Sequence, residues 1–167
     1  DGNIYHTIKI GNQIWMKENL NVTKYKNGQD IVYQPVSRYW TSNYSGAWCE
    51  HPDTAKDGTK FGKLYNLGAV NSKHGLAPEG WHIPSDEEWN TLTKNLGGVE
   101  VAGGKMKESG IEHWASPNNK ADNSSGFTAL PGGYRSSNGQ YFGLGAYIAC
   151  WWSKTHYSSN NYIAYYR

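Results

Sequence analysis

Asp86, Glu87 and Glu88 stand side by side in the sequence, and paired carboxylates are what glycoside hydrolysis uses as acid and as base or nucleophile. Their place just after Pro84-Ser85 gives a second reading, in which Ser85 and Glu88 form a capping box and the acids oppose the positive end of a helix dipole. The second reading is preferred. Ser136 and Ser137 lie beside Arg135, but no GxSxG nucleophile elbow surrounds them. His82 and His113 stand alone, which is the ordinary setting of a hydrogen-bonded histidine rather than a catalytic base. Cys49 and Cys150 lie in neither a CxxC motif nor a zinc-ribbon spacing, so a disulfide, two buried thiols and pairing with a cysteine outside this sequence all stay open. Asn118, Asn119, Asp122 and Asn123 offer hard oxygens that could hold Ca²⁺, although their spacing fits no EF-hand loop and a plain polar turn is the competing reading. No other cofactor is expected.

The remaining chemistry is aromatic. The chain has 8 Trp and 13 Tyr against 3 Phe, with a mean hydropathy of −0.77. Its bulk therefore comes from rings that keep a polar handle and suit half-buried or ligand-facing positions. The C-terminal run WWSKTHYSSNNYIAYYR mixes Trp, Tyr, Ser and Asn as binding surfaces do, giving rigid contact area with adaptable hydrogen bonding. Tyr134, Arg135, Tyr141, Trp151, Trp152, His156, Tyr157, Asn160 and Tyr162 are the expected ligand-binding residues. For Trp151 and Trp152 core filling is the equal alternative, and Ser158 to Asn161 also reads as a hairpin turn.

The elements that must position these groups follow from pattern. Ile4 to Leu20 alternates around Gly11-Asn12 and predicts a β-hairpin. Asn21 to Asp57 has little periodicity and reads as irregular structure packed by its own aromatics. A short helix is expected over about 62–72, and a second, better signalled one over 86–96, with Trp89, Leu92 and Leu96 on one face and Gly97-Gly98 as the stop. Gly103 to Lys107 and Ile111 to Trp114 read as extended, Ser116 to Ser125 as a polar loop. The rest reads as short strands over Phe127–Leu130, Tyr134–Arg135, Tyr141–Phe142, Tyr147–Trp152 and Tyr162–Tyr166. Strands segregated from helices predict an α+β fold, and 167 residues predict one domain spanning 1–167. A net charge of +2 without a basic stripe argues against nucleic acid, and no apolar run is long enough to cross a membrane.

The segments DGNIYHTIKIGNQIWMKENLNVTKY, FGKLYNLGAV, GWHIPSDEEWNTL, AGGKMKESG, HW-SPNN, SGFTALPGGYR and CWWSKT follow one another in an order and spacing that resembles the Fibrobacter succinogenes major paralogous domain, over the whole of 1–167. GWHIPSDEEW is also similar to the RLPTEAEWE helix of formylglycine-generating enzymes. The resemblance implies a C-type lectin-like fold with few helices and long loops, in secreted or surface-attached proteins, often lipoproteins, of Bacteroidota and Fibrobacter. It implies a closing strand after the Tyr165-Tyr166-Arg167 block, so the domain is expected to lack its last strand. Cys150 stands where the family more often has Gly or another small residue, and neither cysteine matches the oxidase's reactive pair. Some proteins of this fold are diversified at the C-terminal end by a retroelement, and the Tyr, Ser, Asn, His and Ile content here is compatible with that.

The resulting expectation is a non-catalytic recognition module of the cell surface that binds a glycan or a protein through its aromatic C-terminal face. A polysaccharide-acting or cysteine-oxidising enzyme and a structural cell-envelope module are the alternatives.

Overall fold

The computed structural model describes residues 2–41, 45–52, 61–144, 147–156 and 164–167. Its first element is the expected hairpin, β1 (Thr7–Ile10) and β2 (Gln13–Met16), paired from Ile10 with Gln13 to Thr7 with Met16. Gly11 turns it with a φ of +60°, and a Cβ there would lie 2.2 Å from the Asn95 amide nitrogen, so both conformation and space exclude a side chain. Ile10 and Trp15 face inward, while Ile14 faces out.

The segment read as irregular carries more order than its pattern shows. β3 (Val32–Tyr33) pairs in parallel with β4 (Ala47–Glu50), and β4 pairs antiparallel with β5 (Lys63–Tyr65), with the one-turn-plus helix α1 (Ser37–Thr41) between. The helix expected over 62–72 therefore shrinks to α2 (Leu67–Val70). Two tertiary constraints cause this. Gly62, at φ +67°, sits so close to Leu20 that a Cβ would meet its carbonyl oxygen at 2.7 Å. Asn66 caps α2 by accepting from the Ala69 N–H and also accepts from the Ala47 N–H, tying the helix to β4.

The second helix, α3 (Asp86–Asn95), is present with its full capping box, and it buries Trp89 and Leu92, with Leu96 at its C-cap also buried. After Gly97-Gly98 the chain enters α4 (Val99–Met106), where Gly103 to Lys107 was expected to be extended. Two glycines at about 1 kcal/mol each in lost helix propensity hide this helix from a sequence reading. Burial of Ala102 and Met106 one turn apart offsets that cost, and a Cβ at Gly104 would meet the Lys120 carbonyl oxygen at 2.3 Å.

Ile111 to Trp114 is a series of bends and not a strand. Phe127 to Leu130 contributes only an isolated bridge from Ala129 to Lys107, because Thr128 holds a φ of +60° that no strand admits. β6 (Tyr134–Arg135) and β7 (Tyr141–Phe142) form the hairpin expected around Asn138-Gly139. In the stretch 147–152 only Ala149 bridges, to Gly133, before β8 (Trp152–His156) begins and pairs with β9 (Ala164–Tyr166). The described residues thus make small sheets of two or three strands around four short helices, a mixed arrangement compatible with α+β. No helix is long and apolar enough to cross a membrane among the described residues.

The core has two main parts. One gathers Trp15, Trp89, Leu92, Leu96, Met106 and Phe127 between the hairpin and α3–α4; the other gathers Val22, Tyr25, Ile31, Tyr65 and Val70 under β5 and α2. Trp151 packs on the first and Trp152 on the second. β8 also docks on the start of α3, where Lys154 N–H donates to the Pro84 carbonyl at 2.8 Å and Thr155 Oγ1 accepts from Asp86 N–H at 2.9 Å.

Candidate functional site

Trp151, just before β8, and Trp152, its first residue, pack on different parts of the core, as the alternation of an extended chain directs. Between them and β2 lies a cavity of about 680 Å³, walled also by the segments 81–84 and 130–137. Trp15, Trp81, Trp89, Trp151 and Trp152 line it, with Phe127, Leu130 and Ile83. That size and lining are those of a small-ligand or side-chain site. Four of the expected binding residues, Tyr134, Arg135, Trp151 and Trp152, border it.

The indoles are fixed by each other and by the main chain. Ring centroids are 4.7 Å apart for Trp15 and Trp89 and 5.9 Å for Trp89 and Trp151. Trp151 Nε1 donates to Asn19 Oδ1 at 3.1 Å, and Trp152 Nε1 to the Tyr65 carbonyl at 2.8 Å. Both side chains therefore build the wall and are not free to swing onto a ligand. Two buried polar atoms of the lining have no hydrogen-bond partner among the described residues: Trp15 Nε1, a donor, and Gln13 Oε1, an acceptor. Unpaired buried groups of this kind are uncommon, and both atoms are covered by protein rather than open to the cavity. β2 adds main-chain groups. Alternation from the Ile10–Gln13 pair next to the two-residue turn directs the N–H and C=O of Ile14 and Met16 away from β1, and both residues line the cavity.

At one end, His82 Nε2 lies 2.8 Å from Glu88 Oε1. Burial works to raise the Glu88 pKa, but hydrogen bonds from the Ser85 N–H, His82 and the Ser85 hydroxyl outweigh it and hold the carboxyl below its ordinary value. Glu88 is thus a capping carboxylate and not a proton donor at neutral pH. Asp86 pairs with Arg167 and accepts from Asn90. Helix capping accounts for Glu88 and ion pairing for Asp86, and Glu87 shares the first turn of α3.

Arg135 does not belong to an open face. Its side chain is buried, donating Nη1 to the Gln34 carbonyl at 2.7 Å, Nη2 to the Pro35 carbonyl at 2.9 Å and Nε to the Gly139 carbonyl at 3.1 Å, while the guanidinium lies over Trp40 and Tyr141. It clamps the 134–142 hairpin to the segment before α1. Tyr141 also turns inward, with its hydroxyl 3.7 Å from Cys49 Sγ. Burial, then the neighbouring thiol, pushes the Tyr141 hydroxyl up to about 12. Tyr134 is exposed and stacks on Phe142, with centroids 5.3 Å apart and planes at 17°. His156 is half-buried on β8 opposite Ala164. Tyr157, Asn160 and Tyr162 lie outside the described residues.

The cysteines do not bridge. Cys49 is buried on β4 beside Trp40, and Cys150 is half-buried at the cavity wall. Burial raises both thiols, outweighing for Cys49 the opposing pull of Arg135 and Tyr141, so neither is an activated nucleophile.

The hard-oxygen set disperses into turn-building. Asn118 Nδ2 donates to the carbonyls of Glu108 and Gly110, and Asp122 Oδ1 accepts from Ser124 N–H. Asn123 clamps Thr128 by accepting from its N–H at 2.9 Å and donating to its hydroxyl at 3.0 Å, which holds the left-handed backbone there. No Ca²⁺ cage is assembled from them. Sequence reasoning missed Gln13, Trp15, Trp81 and Trp89 as wall residues. The inward positions of the hairpin and helix were legible, but not that both border one space.

A family model described as the Fibrobacter succinogenes major domain matches residues 8–167. No curated protein and no solved structure matches the chain.

Proposed function

The chain belongs to the Fibrobacter succinogenes major domain family, and on that premise we propose that it is a non-catalytic recognition module whose ligand enters the tryptophan-lined cavity. The observation that carries the reading is the gathering of five indoles around one cavity, next to the outward edge of β2. Flat apolar faces combined with a few polar atoms suit a sugar ring or a peptide side chain. The outward edge of β2 favours a peptide, since Ile14 and Met16 offer strand-pairing groups that an extended chain matches. A C-type lectin-like fold, a place at the cell surface as a secreted protein or lipoprotein, and diversification of the C-terminal segment from Trp151 to Arg167 belong to the same proposal. The raised thiols and the capped Glu88 support a binding role over an enzymatic one.

The test is a paired screen of a glycan array and an extended-peptide library, with wild type, Trp81→Ala and Tyr134→Ala. Hits whose affinity falls tenfold or more in Trp81→Ala, with circular dichroism unchanged, are expected. Equal binding by all proteins removes the cavity as the site, and turnover of any screened polysaccharide overturns the non-catalytic reading.

A further inference from the structure

The turn from Glu108 to Asn118 lies outside the cavity and holds the cluster of metal-ligating groups that the described residues bring together: Glu108, Glu112 and His113, one ligand atom of each within 4.8 Å of the others. The His113 side chain is 7% exposed and that of Glu108 17% exposed. Both Glu108 oxygens contact His113 Nδ1, at 2.8 and 2.9 Å. A carboxylate in that position holds the proton on Nδ1 and leaves the lone pair on Nε2. The ring is also held from the side, since Phe61 meets it edge-on at 6.0 Å and 86°.

Nε2 faces Glu112 Oε1 at 3.8 Å. That is too long for a hydrogen bond. Two donors at about 2.05 Å from a shared tetrahedral zinc lie roughly 3.3–3.4 Å apart, so a shift of about half an ångström by the exposed Glu112 side chain closes the geometry. A further oxygen lies in the same turn: Asn118 is anchored by its Nδ2 to the Glu108 and Gly110 carbonyls, and its Oδ1 is buried with no hydrogen-bond partner among the described residues.

We propose that this turn is a binding site for a borderline divalent cation such as Zn²⁺, with His113 Nε2 and Glu112 as protein ligands and Glu108 as the positioning residue that orients the imidazole. Imidazole with carboxylate selects zinc-like ions over Ca²⁺. The carboxylate–histidine–metal relay is the arrangement in which a partner on the second nitrogen raises ligand basicity.

Titration calorimetry with ZnCl₂ on the full chain tests it, with Co²⁺ absorption as a reporter of coordination. One ion per chain is expected to bind. Glu112→Gln, at a position 74% exposed and so harmless to folding, is expected to weaken binding tenfold or more; Glu108→Gln is expected to weaken it and change the Co²⁺ spectrum. Zn²⁺ should raise the melting temperature of wild type and not of Glu112→Gln. Absence of saturable one-to-one binding overturns the site. So does Glu112→Gln binding as tightly as wild type, which would assign any zinc to the other histidines and leave His113 as a bridge between two glutamates.

Discussion

Trp151 and Tyr134 both stand in the aromatic C-terminal third, yet Trp151 closes the core against Trp89 and Phe127 while Tyr134 lies on the surface against Phe142. Two physical differences separate them. The Trp151 indole finds a side-chain acceptor, Asn19, and an apolar helix face to cover. Tyr134 sits on a two-strand hairpin whose other side is already closed by the Arg135 clamp. Aromatic content alone therefore does not mark a binding face; what matters is whether a long-range apolar partner reaches the ring.

The sharpest way to break this comparison is at the core end. Trp89→Ala should cost about 3–5 kcal/mol, because it removes a buried ring and leaves a cavity beside Trp15 and Trp151; denaturant unfolding measures it, and a loss under 1 kcal/mol would place the indole cluster outside the stabilising core. Arg135→Ala should follow at about 3 kcal/mol, since it removes the guanidinium donors of the Gln34 and Pro35 carbonyls and one of the two donors of the Gly139 carbonyl; thermal unfolding checks it, and Arg135→Lys should recover only part.

Ser85→Ala should cost about 1 kcal/mol by removing the N-cap of α3. The same cap has a pH signature. The folded-state pKa of Glu88 is depressed, so its stabilisation is complete above the ordinary glutamate value of about 4.3 and is lost as pH falls through the lower folded value. Ser85→Ala should flatten the acid limb of stability in that window, and an unchanged limb would assign it to other carboxylates.

At the surface end, Tyr134→Ala should change stability least, by about 0.5–1.5 kcal/mol for the loss of one exposed aromatic pair. Reductant should leave the melting temperature unchanged, since both cysteines are free; a fall on reduction would reveal a bridge.

Much of the fold was legible where neighbours in sequence decide it. The Gly11-Asn12 hairpin and the Ser85–Glu88 capping box rest on local geometry, and both occur where the pattern places them. The site was half legible. Tyr134, Arg135, Trp151 and Trp152 do border the cavity, but which of them are bound into the frame could not be read from residue type.

Family membership, the Gly11-Asn12 hairpin and the start of α3 at Asp86 are properties the sequence by itself determined, because they depend on residue identity and short spacing. Tertiary structure alone decided two further points: that Gly103-Gly104 lies in a helix and that Arg135 faces inward. Each rests on contacts across the chain, such as Lys120 against Gly104 and Gln34 against Arg135, whose energies exceed the local preferences that a sequence displays.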